Sequence, residues 1–135
     1  MRKTRRKRLF FLPVLVSEPF EYGGFPFTLD TRCKWDWWIP GVNFGGDLKT
    51  TSAASQHEFE ESIDFFDWDR SRAWYMDIEG TEKDFIYAIS KKNNLVFKKL
   101  IYRGDEIYTR GREKYEELAF WYWCLNLNTD NPSQQ

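Results

Sequence analysis

The stretch Trp35-Asp36-Trp37-Trp38-Ile39-Pro40, running on into Gly45-Gly46-Asp47-Leu48-Lys49-Thr50-Thr51, decides how the chain is read. Both segments can be extended strands, with Pro40-Gly41 as turn chemistry between them. Successive side chains of a strand point to opposite faces, so Asp47 and Lys49 share one face and Leu48 takes the other. If the strand of Asp36 pairs with the strand of Asp47, two carboxylates and one ammonium converge at a sheet edge. Hard oxygen ligands from two strands suit Mg²⁺, which keeps several waters and takes one or two carboxylates plus a substrate phosphate. A lysine beside such a metal can orient or deprotonate a water and can stabilise charge on a phosphate.

Asp36, followed after a short hairpin by Asp47-Leu48-Lys49, resembles the PD-(D/E)xK nuclease signature. The tract CKWDWWIPG…DLKTTSAASQHEFEESIDFFDWDRSRAWYMD is similar to the RecE-like and lambda-exonuclease-like phage recombination exonucleases, as is the later KDFIYAISKKNNLVF…GREKYEELAFWYW. The resemblance covers residues 28–126. It implies a restriction-endonuclease-like core in which Asp36 and Asp47 bind Mg²⁺ or Mn²⁺, the Leu48 carbonyl is a third ligand and Lys49 positions the attacking water. It also implies that Glu18, an acidic residue ahead of the Asp36 strand, assists the metal; the alternative is a solvated strand-end carboxylate.

The chain departs from that family at three points. Gly45 and Gly46 stand where bulky aliphatics are usual, which marks a bulge, a close backbone approach or a distorted site. Ser71 takes the place of a glutamine that faces the active site; its hydroxyl can donate one hydrogen bond to a phosphate or a metal-bound water. The family's longer helical N-terminal portion is missing, which is the expectation for a minimal nuclease, a fragment or a relative with an altered cutting mode.

At 135 residues the size prior is one domain, long enough to bury a core without staples. Aromatics make up 19% of the residues, including seven Trp, which favours ordered packing over disorder. Two cysteines, Cys33 and Cys124, with no CxxC and a single histidine argue against a zinc site and fit free thiols in a reducing, cytoplasmic setting. The net charge of −1 excludes a generic polyanion binder, but residues 1–8 hold six Lys or Arg and no acid, leaving −7 on the remainder.

That basic start precedes a short apolar run, Leu9 to Val16. The form is that of a secretory signal, but no small-residue cleavage site follows and Ser17-Glu18-Pro19 breaks the pattern. The run is too short to span a bilayer. We read residues 1–8 as a flexible arm whose Arg5, Arg6, Lys7 and Arg8 contact DNA phosphates in a salt-sensitive way, and residues 9–17 as a strand. Residues 9–127 form the domain, and 128–135 a frayed tail.

The remaining elements follow from periodicity. Tyr22-Gly23-Gly24-Phe25-Pro26 is a turn, Thr28 to Ile39 a strand, and Val42 to Thr50 the third strand of a meander. Ser55-Gln56-His57-Glu58 matches a capping box, and Phe59, Ile63 and Phe66 give the apolar face of a helix over 56–66. His57, in its first turn, reads as a surface residue. Asp69 is expected to cap a second helix ending near Gly80. On that helix Arg70 and Arg72 can clamp phosphates bidentately, or else face solvent paired with Asp67 or Asp69. Lys83–Ser90 and Leu95–Tyr102 form a hairpin, with Lys98 and Lys99 blunting a sheet edge. A closing helix runs over 105–126 with Ile107, Gly111, Tyr115, Leu118, Tyr122 and Leu125 as its packing stripe; Trp121 and Trp123 lie off it and suit a subunit interface in a homo-oligomer.

The order of elements gives an α/β fold, a mixed central β-sheet flanked by helices. The expected function is metal-dependent hydrolysis of DNA. The resemblance implies 5′-to-3′ digestion of linear duplex ends, by a ring-shaped oligomer acting with a single-strand annealing recombination protein. No membrane partner is expected. The alternative is a non-catalytic binding module that keeps the fold without the chemistry, as a phage inhibitor or an accessory subunit.

Overall fold

A computed structural model of the protein describes residues 14–39 and 41–127, and the arm residues Arg5, Arg6, Lys7 and Arg8 lie outside them, as do residues 9–13 of the first expected strand. The architecture is mixed α/β. β1 (Val14–Tyr22) and β2 (Phe25–Cys33) form an antiparallel hairpin turned by Gly23 and Gly24. Both glycines sit at positive φ, 57° and 79°, a conformation that side chains with a Cβ disfavour. β3 (Trp37–Ile39), β4 (Phe44–Thr51), β5 (Lys83–Ser90) and β6 (Val96–Tyr102) make a second sheet in the order β3-β4-β5-β6. Its β4–β5 pair is parallel and the other two are antiparallel. A parallel pair needs a long crossover. Two helices supply it, α1 (Gln56–Phe65) and α2 (Trp68–Glu79). α3 (Glu106–Tyr122) closes the chain, followed by a wider π turn over Trp123–Leu127.

The expected meander does not form. The strand read as Thr28 to Ile39 breaks at Lys34–Asp36, and its two halves join different sheets. The cause is packing. Trp35 turns inward, is 6% exposed and meets Tyr75 of α2 edge-on at 5.3 Å. Phe27 and Leu29 of β2 pack against Ala119 of α3 instead of joining the main sheet.

Alternation along β5 buries Asp84, Ile86, Ala88 and Ser90 on one face. Ile86 and Ala88 meet Phe59 and Ile63 of α1, Ala73 and Met76 of α2, and Tyr108 and Tyr115 of α3. Phe59, Ile63, Met76, Ile86 and Ile101 are all 0% exposed. Burying each stabilises the fold by about 2–3 kcal/mol before entropy is counted. The opposite face carries a half-buried aromatic group, with Phe85 stacked on Tyr87 at 5.1 Å and Trp37 edge-on to both Phe44 and Tyr87.

Helix ends differ from expectation in instructive ways. Ser55 caps α1 through the Glu58 N–H, but the Glu58 carboxylate accepts from the Ala54 N–H at 2.7 Å, one residue short of a full capping box. The cap residue of α2 is Asp67, in a left-handed conformation, not Asp69. Asp69 lies in the first turn, fully buried, where it accepts from Arg110 Nε at 2.5 Å and Lys114 Nζ at 3.1 Å of α3. The packing stripe of α3 is Tyr108, Gly111, Tyr115 and Ala119. Leu118, Tyr122 and Leu125 are more than half exposed, so the expected stripe drifts off the buried face toward its C-terminal end. Trp123 packs inside the protomer on Phe25 and Phe27, while Trp121 is 51% exposed.

Lys98 is exposed on the edge strand β6, and Lys99 reaches Glu60 of α1 at 2.5 Å. Cys33 and Cys124 are free thiols. Among the described residues no helix is long and apolar enough to cross a membrane.

Candidate active site

The last β3–β4 pair on one side is Trp37 with Gly46. One step further along this antiparallel register, Asp36 comes opposite Asp47. Pairing has stopped there, so the side chain of Asp36 takes the place of the missing strand: its Oδ2 accepts the Leu48 N–H at 2.9 Å. A strand residue turns its N–H and C=O to the same edge, which leaves the Leu48 carbonyl beside Asp36 as well.

Gly45 and Gly46 make this approach possible. A Cβ on Gly45 would stand 2.8 Å from Trp35 Cε3, and one on Gly46 would meet the Trp37 indole and lie 2.5 Å from Phe85 O. The glycine pair therefore clears room for the protein's own tryptophans. It does not open the backbone to a ligand, nor does it mark a bulge, since β4 keeps an unbroken register with β5 from Gly46 onward.

Asp47 is 8% exposed, on the helix-covered face of β4. Lys49 shares that face as expected, with Nζ 2.8 Å from Asp47 Oδ2. The contact is an ion pair, and the same oxygen is buried with no other partner. The Lys49 ammonium also lies 5.6 Å above the Trp68 ring. The neighbouring Asp47 carboxyl is the main influence holding Asp36 below its ordinary value, whereas burial, followed by the neighbouring Asp36 carboxyl, pushes Asp47 up.

Arg72 is 3% exposed. Its Nη1 lies 3.4 and 3.3 Å from the two carboxylate oxygens of Asp84. The Tyr75 ring is 4.5 Å from the guanidinium and the Trp35 ring 5.4 Å. Arg72 thus faces neither solvent nor Asp67 or Asp69. It is an internal cation, and its field lowers both Asp36 and Asp47. Asp84 is 0% exposed; burial pushes its carboxyl up to about 7, against the pull of Arg72. Sequence reasoning did not single out Asp84. The available signal was a charged residue at an inward position of an alternating strand, in step with Ile86 and Ala88.

Asp47, Lys49, Arg70, Ser71 and Arg72 line one groove of about 660 Å³. Arg70 sits at its rim, 3.4 Å from Asp67 Oδ2 on the same helix, an exposed pair of the kind that contributes little to stability. Ser71 is half-buried. Glu18 is not brought here. It is buried, but it lines a separate cavity of about 190 Å³ with Asp77, Arg112 and Tyr115. His57 is exposed on α1 beside Glu61 and away from this groove.

No family model matches the chain, and no curated protein matches it. Among solved structures it is similar to one described as "Crystal structure of SSO0001", with a TM-score of 0.49 and 13% identity over 91% of this chain. The match takes in 60% of that structure's chain, so the present chain spans less than two thirds of its length.

Among the described residues no group of three or more His, Cys, Asp or Glu side chains is arranged to hold a metal ion. The candidate donor set is smaller: two adjoining carboxylates, one with a buried oxygen lacking a hydrogen bond, and a backbone carbonyl at the same edge. That set fits a hard cation that retains most of its waters.

Proposed function

We propose that the groove is the active site of a metal-dependent nuclease acting on DNA, with Mg²⁺ or Mn²⁺ held by Asp36, Asp47 and the Leu48 carbonyl. The observation that carries this reading is the convergence of Asp36 and Asp47 across the end of the β3–β4 pairing, with Lys49 on Asp47. A bound divalent cation would supply Lewis-acid polarisation of the phosphate and an acidified water. The chain's own residues do the rest. Asp36 is fixed through its Oδ2 by the Leu48 N–H. Lys49 can hand its contact from Asp47 to a water or a phosphate oxygen when a cation takes over the carboxylate. Arg72 presents fixed positive charge to the groove, and the Ser71 hydroxyl can hydrogen-bond a phosphate.

Digestion of linear duplex DNA with Mg²⁺ or Mn²⁺, wild type against Lys49→Ala, tests the assignment. Loss of activity in the variant is expected. Equal degradation by both proteins removes Lys49 from the mechanism, and no degradation by the wild type removes the nuclease reading.

One observation favours a second reading. Two of the cations lining the groove already engage carboxylates, Lys49 with Asp47 and Arg72 with Asp84. A site neutralised from within suits a binding module that keeps the fold without the chemistry. That module would show no Mn²⁺-induced thermal shift, whereas a carboxylate site that binds metal is stabilised by it through linkage.

A further inference from the structure

Asp84 is the least expected charge in the protein. It stands two residues before Ile86, the β5 partner of Asp47, so both carboxylates face the helices from neighbouring strands. A buried carboxylate costs several kcal/mol unless it is paired, and an apolar residue would fill the position at less cost. Its ion-pair partner is Arg72, itself 3% exposed. Two aromatic rings restrain the guanidinium plane, Tyr75 at 4.5 Å and Trp35 at 5.4 Å. Trp35 immediately precedes Asp36, so the same ring that orients Arg72 sets the start of the metal-site segment.

The fork is not closed on Asp84. Only Nη1 reaches it, at 3.3–3.4 Å, longer than the 2.7–2.9 Å of a tight charge-assisted bond. Nε is buried with no hydrogen-bond partner. Arg72 lines the same groove as Asp47 and Lys49 and so retains donor capacity beside them.

We propose that Asp84 is a positioning residue that anchors Arg72 as a built-in cation beside Asp36 and Asp47, so that the carboxylate pair takes one divalent cation and Arg72 does the electrostatic work of a second. This rests on the metal-site reading above and specifies its stoichiometry. With all three ionised, as above neutral pH, Asp36, Asp47 and Asp84 set three negative charges against the two positive charges of Lys49 and Arg72. One divalent cation turns that balance to +1, which matches one phosphodiester. A second would leave strong excess positive charge, with only two carboxylates to hold both ions, whereas two-metal sites clamp a pair of ions about 4 Å apart.

The test is Mn²⁺ binding to the intact chain by calorimetry, without nucleic acid, alongside competition by a short oligonucleotide. Wild type is expected to bind one Mn²⁺. Asp84→Asn leaves Arg72 uncompensated, so Mn²⁺ affinity falls, by about tenfold or more for a unit charge in a partly buried site. Arg72→Gln acts in the opposite direction: Mn²⁺ binds more tightly or a second ion enters, while the oligonucleotide binds more weakly. The double variant Arg72→Gln/Asp84→Asn returns Mn²⁺ affinity toward wild type, and Arg72→Lys keeps one-ion stoichiometry.

A pair that only holds the fold together predicts losses in the same direction for both single variants, and that result overturns the proposal. Two Mn²⁺ per wild-type chain, or none, overturns it without any variant needing to fold. One Mn²⁺ with opposite variant effects, in a protein that cuts no DNA, supports this inference while removing the nuclease reading. Cleavage together with two bound ions does the reverse.

Discussion

The Asp36 carboxylate accepts the Leu48 N–H at 2.9 Å and so finishes with a side chain what β3 leaves undone with its backbone. Substitution can separate the two jobs of that carboxylate. Asn keeps an acceptor oxygen for the Leu48 N–H but carries no charge. Asp36→Asn is therefore expected to melt within a few degrees of wild type in metal-free buffer and to lose the Mn²⁺-dependent rise in melting temperature. Melts with and without Mn²⁺ read both, and a full Mn²⁺ shift in Asp36→Asn would take Asp36 out of the metal site.

Gly46→Ala pushes a methyl into the Trp37 indole and the Phe85 carbonyl. The backbone oxygen cannot yield as a flexible side chain would, so a cost of about 1–3 kcal/mol is expected from overpacking. Because Trp37 anchors β3, Asp36 should shift too, and the Mn²⁺ response should weaken along with stability. Gly104→Ala is the control, since no atom lies within 4 Å of a Cβ there and its φ is not positive. Urea denaturation that shows the two variants equally stable would refute the packing argument.

Gly111 tests the contact that positions α2, and with it Arg72. A Cβ at Gly111 would run into the Asp69 backbone carbonyl, so Ala must push α3 away from α2. That movement strains the bonds from Arg110 and Lys114 to the fully buried Asp69. Removing one partner of a buried pair typically costs about 3–5 kcal/mol. Gly111→Ala is expected to lower the melting temperature clearly and to do so less than Asp69→Ala. The reverse order in thermal melts would mean that the ion cluster does not hold the two helices together.

Asp84 gives stability a pH dependence of unusual sign. Its folded value of about 7 stands above the ordinary 3.8, so between these values the native state holds a proton that the unfolded chain releases. The unfolded state then binds fewer protons, and stability falls as pH rises. The contribution is fully present below the unfolded value and is lost as pH climbs through the folded one. Relative to Asp84→Asn, wild type should lose up to about 1.4 kcal/mol per pH unit up to roughly neutral pH and then level off. Urea melts of both proteins at several pH values between these limits check it, and parallel profiles would contradict the burial of a neutralised carboxyl.

What could be read from the residues alone was whatever depends on neighbours in sequence. The two-residue alternation of β4 put Asp47 and Lys49 on one face, the Ser55 cap opened α1, and the β5–β6 hairpin followed from its polar turn. These patterns are local, and local geometry enforces them. The mixed α/β architecture followed from the order of the elements. The site's detailed character was not legible in that way. Whether Arg72 faces water or Asp84 depends on how α2 lies over β5, and nothing near Arg72 in sequence encodes it. Glu18 and Asp36 are both acids in or beside strands, yet packing sends Glu18 to a separate cavity and holds Asp36 on the Leu48 N–H beside Asp47. Gly45 and Gly46 read as a bulge, a close backbone approach or a distorted site, and only the packing shows that what approaches them is three tryptophans of the same chain. Periodicity assigns a side chain to a face, but only the packing of elements distant in the chain decides what that face meets, because burial energy is set by the partner and not by the pattern.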